Sequence, residues 1–303
     1  MTAPPPVSPA LTALLARVVD YAGLFPPARL PMSDALAAYA DYQHGSDAWM
    51  LGRFVIPASR LEEFDEVGPE LLPDSASASW ALAALVSADA EVDTRSVHAF
   101  NAYHRDVRHG AVHVDTVEIR VSHAAEIAAA DEFISGFDAF VEVPIVEDPE
   151  PLIAAIAAIG AKAKIRTGGV TPDAIPGARH VVRLMRRCLE HDVPFKATAG
   201  LHHPLRAEYP LTYEPGAPRA AMFGFLNVFL AAAFMRAGLN DSETLALLEE
   251  RDAGAIIVDE HTVRWHDHSM SGTELHRARQ DAVAFGSCSF REPVDELRGL
   301  GWL

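Results

Sequence analysis

Lysine is unusually scarce in this chain. Of its 25 basic residues, 22 are arginine and three are lysine: Lys162, Lys164 and Lys196. Cysteine is scarcer still, with Cys188 and Cys288 alone and no CxxC pair. That excludes a disulfide scaffold and a thiolate zinc site, and makes a reducing cytoplasm the expected compartment. No apolar run reaches the roughly 18 residues of a membrane span. The longest candidate, Met222 to Phe234, is interrupted by Gly224 and Asn227, so no membrane partner is expected. The N-terminal MTAPPPVSPALTALLARVV has no basic region ahead of its apolar stretch, and reads as a short extended arm rather than a leader. Positive charge is short overall, 25 basic against 42 acidic residues for a net charge of -17. There is no basic stripe of the kind a nucleic-acid binder needs. Glycine-rich nucleotide loops of the GxGxxG and GxxxxGK types are also missing.

What the chain does have is a rhythm. Short apolar, β-branched runs alternate with helix-like stretches, separated by Pro, Gly, Ser or Asp clusters. Such alternation implies parallel βαβ units. Eight strands are expected: Val18 to Phe25, Met50 to Pro57, Trp80 to Ser87, Thr116 to Val121, Ala139 to Ile145, Ala161 to Thr167, Pro194 to Ala199 and Val283 to Phe290. Eight units fit a single (β/α)8 TIM-type barrel over residues 1–303, and about 300 residues suits such a barrel with an insertion. An open doubly wound sheet is the alternative. The barrel is preferred because Glu118, Arg120, Glu142, Lys164, Arg166 and Lys196 lie within apolar strands. An open parallel sheet covered on both faces has nowhere to put them, whereas a barrel gathers such residues at its C-terminal mouth.

One segment breaks the rhythm. Residues 201–282, between the seventh and eighth strands, hold a proline-rich loop, the apolar helix AAMFGFLNVFLAAAFMRAG, two further helices and the hairpin AIIVDEHTVRWHD. The expectation is an insertion over the mouth or at a subunit interface. The apolar helix is the candidate for a homo-oligomer contact, unless it packs as the barrel's own seventh outer helix.

The lysines carry the chemistry. Arginine stays protonated, whereas a buried lysine can lose its proton and, as a neutral amine, attack a carbonyl to form a Schiff base. Alternation puts Lys162, Lys164 and Arg166 on one face of the sixth strand, and Lys196 and Thr198 on one face of the seventh. If both faces point inward, Lys164 and Lys196 are neighbours, and one cation can depress the other's pKa. The competing reading is a structural ion network with Glu118 and Glu142.

The stretches KIRTGG on the sixth strand and FKATAG on the seventh resemble the class I aldolases of the deoxyribose-phosphate aldolase family. VDTVEIRV on the fourth strand and FGSCSF before the last helix resemble further motifs of that family. The resemblance implies Lys164 as the Schiff-base lysine, Lys196 as the perturbing cation and Glu118 as the proton shuttle. It implies Gly286, Ser287 and Ser289 at a substrate phosphate, where amides at a helix N-terminus suit an anion. Arg166 stands where the family has a small residue, Leu201 where it has a second glycine, and glutamate where it has aspartate. The insertion has no counterpart there.

Around this core, Arg53, Glu142, Arg166, Thr167, Gly168, Thr198, Gly200 and His202 are candidate substrate contacts. Asp20 and Tyr21, beside the exit of the first strand, are further candidates at the mouth. Glu142 and His202, with or without Glu118, form an alternative metal site, and His266 and His268 form an HxH pair. No cofactor is expected. Cys288 has no histidine adjacent in sequence to activate it, so no thiolate nucleophile is expected. Asn227, inside the apolar helix, reads as a satisfied buried amide. The favoured function is a Schiff-base, aldolase-like lyase acting on a small carbonyl compound, with or without a phosphate. Alternatives are a metal-dependent barrel lyase or isomerase and a non-catalytic barrel that binds a small molecule.

Overall fold

The computed structural model describes residues 7–73 and 78–303. In chain order the elements begin with α1 (Pro9–Leu15), β1 (Val19–Tyr21), α2 (Met32–His44), β2 (Leu51–Pro57), α3 (Leu61–Val67) and β3 (Trp80–Leu85). Next come α4 (Ala90–Val107), β4 (Val112–Arg120), α5 (Ala124–Ile134), β5 (Asp138–Glu142), α6 (Glu150–Ala158), β6 (Lys162–Arg166), α7 (Ala178–Glu190) and β7 (Phe195–Thr198). The remainder is β8 (Ala207–Pro210), β9 (Arg219–Met222), α8 (Phe225–Arg236), α9 (Asp241–Leu248), β10 (Ile256–Val258), β11 (Thr262–Trp265), β12 (His268–Ser271), α10 (Gly272–Ala278), β13 (Ala282–Ser287) and α11 (Arg291–Gly299).

Eight parallel strands, β1 to β7 and β13, close into a barrel. They are the eight runs expected from the sequence, trimmed at their ends. Every strand except β4 is shorter than expected. Strand β4 starts four residues earlier, at Val112. The reason is a bulge. Leu82 pairs with Val114 and Ala83 with Thr116, which leaves Asp115 as an extra, unpaired residue on β4. A bulge re-aims the strand and frees one side chain from the alternation. A second irregularity lies between β1 and β2, where Val19 pairs with Leu51 but Tyr21 with Phe54.

The insertion divides into two parts at different places. The β8–β9 ribbon follows the exit of β7, and Leu211 and Met222 from this part line the barrel cavity. The rest lies elsewhere. Every residue from Phe225 to Met235 of α8 is buried, and the helix packs on β13, α7, α9 and α10. A helix that is apolar all round is a buried helix. Of the two readings of this helix, the one realised is packing as the barrel's own outer helix, which leaves α8 no free face for a second copy of the chain. Strands β10–β12 form a small antiparallel sheet beside α1, the helix that leads into β1. The expected hairpin is thus part of a three-stranded sheet on the entry side of the barrel, not a cover for the mouth. Among the described residues, no helix is long and apolar enough to cross a membrane.

Asn227 explains how a polar group survives inside α8. Its Nδ2 donates to the carbonyls of Leu247 and Glu250, and its Oδ1 accepts from the Arg206 amide. Both donors and the oxygen are thus engaged, and they tie the ribbon side of the insertion to the end of α9, as a buried amide requires.

Candidate active site

Lys162, Lys164 and Arg166 alternate along β6 and point into the barrel, as do Lys196 and Thr198 on β7. Register makes Lys164 the direct partner of Lys196, and of Glu142 on β5. The result is a buried chain of charge across the barrel. Lys196 Nζ lies 2.5 Å from Asp20 Oδ2 and 2.5 Å from Glu118 Oε1. Lys164 Nζ lies 2.7 Å from Glu118 Oε2 and 3.0 Å from Glu142 Oε2. Glu142 then meets Arg166 at 3.4 Å and Arg120 at 3.8 Å, both at the exposed end. Charges alternate along the whole chain, which is the condition for burying them together.

Asp20 reaches this chain because of a glycine. A Cβ on Gly52 would stand 2.3 Å from Asp20 Oδ1. With no side chain there, Asp20 accepts the Arg53 amide at 2.8 Å through Oδ1 and keeps Oδ2 for Lys196.

The electrostatics follow from this packing. Burial opposes the charge on Lys196, but Asp20 and Glu118 outweigh it and hold the ammonium above its ordinary pKa. Burial opposes the charge on Glu118, but Lys164 and Lys196 outweigh it and bring the carboxyl down to about 2. Glu142 is held low in the same way, against burial, by Lys164 and Arg166. Lys196 is thus no free cation acting on Lys164. Its charge is matched by two carboxylates, and its geometric effect is to pin one oxygen of Glu118.

Above the chain is a cavity of about 200 Å³. Glu118, Lys164, Lys196, Arg166, Thr198, Gly200, Gly286 and His202 all line it. Cys288, Leu211 and Met222 complete part of its wall. Of the residues expected at the substrate, several sit elsewhere. Arg53 binds Asp115 at 2.6 Å and approaches Asp138 at 3.7 Å, with Lys162 on the other oxygen of Asp138. These four form a lower ionic layer near the strand starts, built around the bulged Asp115. That layer, not the mouth, is the place of Arg53. Thr167 is buried, and its hydroxyl donates to the Ala199 carbonyl at 2.7 Å, clasping the two exit loops together. Gly168 packs against Gly200. The Ser287 hydroxyl donates to the Ser289 carbonyl, and Ser289 Oγ accepts the Glu292 amide at the start of α11. Both hydroxyls thus make bonds within their own turn, and of the three residues expected at a phosphate only Gly286 lines the cavity.

The adjacent histidines split. His202 faces the cavity, and its Nδ1 lies 3.4 Å from Glu292 and 3.3 Å from Ser287 Oγ. His203 turns away to Glu296 and stacks on Tyr209. His266, in the turn between β11 and β12, stands 3.5 Å from Glu250, and His268 stacks on Trp265. The HxH pair therefore belongs to the small sheet. Glu142 and His202 have separate partners, and among the described residues no group of three or more His, Cys, Asp or Glu is placed to hold a metal. The alternative Glu142/His202 metal site is not assembled.

Asp20 was recognisable as a charge in an apolar strand, but its bond to a lysine 176 positions away had no local signal. The neighbours of Cys288 had none either. His202 lies 86 residues from it in sequence, yet 3.9 Å away in space.

No protein-family model and no curated protein sequence matches the chain. Among solved structures it is similar to the lysine/ornithine decarboxylase of Vibrio vulnificus complexed with cadaverine, at 13% identity and a TM-score of 0.36, over 63% of this chain and 48% of that one. It is also similar to the dihydrodipicolinate synthase of Bacillus clausii, at 12% identity and a TM-score of 0.39, over 62% of this chain and 63% of that one. The chain thus spans about half of the first structure and under two thirds of the second. Likenesses this distant carry no statement about chemistry.

Proposed function

We propose that this barrel is a Schiff-base lyase of aldolase type, with Lys164 as the amine that captures a small carbonyl substrate. The supporting observation is the position of Lys164: the residue lines the cavity and its amine lies between two carboxylates, one of them pinned from behind by Lys196. On substrate entry a proton leaves Lys164 through water held at Glu118, and the neutral amine adds to the carbonyl carbon. The carbinolamine loses water to give an iminium. Cleavage of the neighbouring carbon–carbon bond sends its electron pair into the iminium, forming an enamine and releasing an aldehyde. The enamine takes a proton, and water then frees the second product from Lys164. Glu118 moves these protons directly or through water. Lys196 and Asp20 are positioning residues that hold Glu118 in reach. Arg166 and Thr198, beside the cavity, hold the substrate's anionic or hydroxyl groups.

The motif resemblance to the deoxyribose-phosphate aldolase family supports the same reading and rests on those short stretches alone. A catalytically silent barrel that binds a small molecule shares the cavity, and covalent trapping separates the two. Borohydride reduction with a panel of small carbonyl compounds, followed by mass spectrometry, is expected to leave an adduct on Lys164. Lys164→Arg keeps a cation between Glu118 and Glu142 but cannot form the imine, and should show none. No adduct across the panel, or equal trapping in Lys164→Arg, rejects the lyase.

A further inference from the structure

The cavity has a second nucleophile that the amine chemistry leaves unused. Cys288 follows β13 and lines the same cavity as Lys164. Its neighbours come from four directions. His202 Nδ1, from the exit loop of β7, lies 3.9 Å from Sγ. The Tyr213 hydroxyl, from the loop of the β8–β9 ribbon, lies 3.5 Å from it. Glu292, in the first turn of α11, reaches His202 Nδ1 at 3.4 Å and accepts from Tyr213 at 3.1 Å. The backbone amide of Ala28 also bonds to the sulfur, and Tyr21 of β1 is near enough to feel its charge.

The other cysteine is a useful contrast. Cys188 is buried among Met185, Leu189, Val193 and Phe195, and burial pushes its thiol up. At Cys288 burial pushes the same way, but the bond and charge of His202, with the bonds from Tyr213 and the Ala28 amide, together outweigh it and bring the thiol below its ordinary pKa. Burial opposes the charge on His202, but Cys288 and Glu292 outweigh it and raise the imidazole to about 9. Sγ and the carboxylate approach the same nitrogen, Nδ1. In a nucleophile–base–acid relay they would take opposite nitrogens. The arrangement is instead one imidazole nitrogen shared between the sulfur and the carboxylate.

We propose that Cys288 is a covalent carbonyl-capture site, whose thiolate, paired with the His202 imidazolium at the cavity wall, adds reversibly to the carbonyl carbon of a small aldehyde. The carbon–sulfur bond forms as the carbonyl π pair moves to oxygen. The oxygen takes the proton of His202, leaving a neutral thiohemiacetal and a neutral imidazole. Return of the proton reverses the step, so no oxidant or other co-reactant enters. The choice of an aldehyde rests on the reaction proposed for Lys164, which releases one into this cavity. The nucleophilic thiolate does not rest on it.

Iodoacetamide alkylation of the whole folded protein, localised by mass spectrometry, tests the site. Cys288 is expected to react at pH 7 while Cys188 does not. His202→Gln removes the imidazolium and should slow alkylation by about tenfold. Glu292→Gln removes the competing carboxylate, leaves the thiolate as the imidazolium's anionic partner, and should not slow it. Acetaldehyde should protect Cys288, reversibly on dilution, in Lys164→Arg as in the parent protein. The site is rejected if Cys288 alkylates no faster than Cys188, if His202→Gln leaves the rate unchanged, or if Glu292→Gln slows it equally. Protection that disappears in Lys164→Arg puts the aldehyde on Lys164 and overturns capture at Cys288. Failure of imine trapping alone leaves the His202→Gln result standing, so the two proposals fail separately.

Discussion

Lys164 and Lys196 divide a single carboxylate between them: Lys164 holds Glu118 Oε2 at 2.7 Å and Lys196 holds Oε1 at 2.5 Å. The two amines are register partners on adjacent strands, and without Glu118 between them they would be two like charges in a closed interior. The sharing also makes the two lysines unequal. Lys196 has its second carboxylate in Asp20, deep in the barrel, whereas Lys164 has its second in Glu142, next to the exposed Arg166 and Arg120.

Removing Lys196 strands charge. Lys196→Met leaves Asp20 and one oxygen of Glu118 buried without their cation, at a cost of about 3–5 kcal/mol. Urea unfolding of Lys196→Met, Asp20→Asn and the double variant measures it. The double variant should lose clearly less than the sum of the two, because the second change neutralises what the first exposes. Additive losses would contradict the ion chain.

Acid should unfold the barrel through Glu118. Its folded pKa, about 2, lies below the unfolded value of 4.5. A depressed carboxyl contributes stability that is fully present above the unfolded value and is lost as pH falls through the folded one. Between about pH 4.5 and pH 2 this group alone removes on the order of 3 kcal/mol. Urea midpoints across that range should fall, and the slope should flatten in Glu118→Gln, which cannot titrate.

The exit loops of β6 and β7 meet glycine to glycine. A Cβ on Gly200 would stand 3.0 Å from the Gly168 Cα, and Gly200 has φ +77°. Gly200→Ala therefore meets both a backbone clash and a left-handed conformation, and should cost more than about 1 kcal/mol. Gly168→Ala meets the Gly200 Cα at 3.1 Å without a positive φ, and should cost less. Thermal unfolding of the two variants gives the order, and the reverse order would be inconsistent with this contact.

Arg53 separates the two ionic layers. Arg53→Met leaves Asp115 and Asp138 short of a partner near the strand starts, and should lower stability by about 2 kcal/mol. Borohydride trapping at Lys164 should be unchanged, since Arg53 belongs to the lower layer. A trapping defect in folded Arg53→Met would place it at the mouth after all.

Much of this was legible along the chain. The alternation of apolar runs with helical stretches announces eight βα units, and all eight strands of the barrel fall on those runs. Charges at alternate positions of Lys162–Arg166 could be assigned to one face, because strand geometry has a period of two. The depth of each residue was not legible. Arg53 looks like a mouth residue by position, but the irregular pairing of β1 with β2 and the bulged Asp115 set it in the lower layer. The apolar helix fits either a subunit contact or the barrel's own outer layer, and only its packing against α7, α9, α10 and β13 decides for the second.

By itself, the sequence determined the repeating units, the inward faces and the unusual confinement of lysine to two neighbouring strands. These are local properties, written in periodicity and residue type. Tertiary structure alone decided which charges meet. Asp20 reaches Lys196 because the barrel closes β13 onto β1 and because Gly52 leaves room. His202 reaches Cys288 because the exits of β7 and β13 are adjacent. Such contacts depend on register, bulges and closure, which act between segments far apart in the chain and leave no mark on either one.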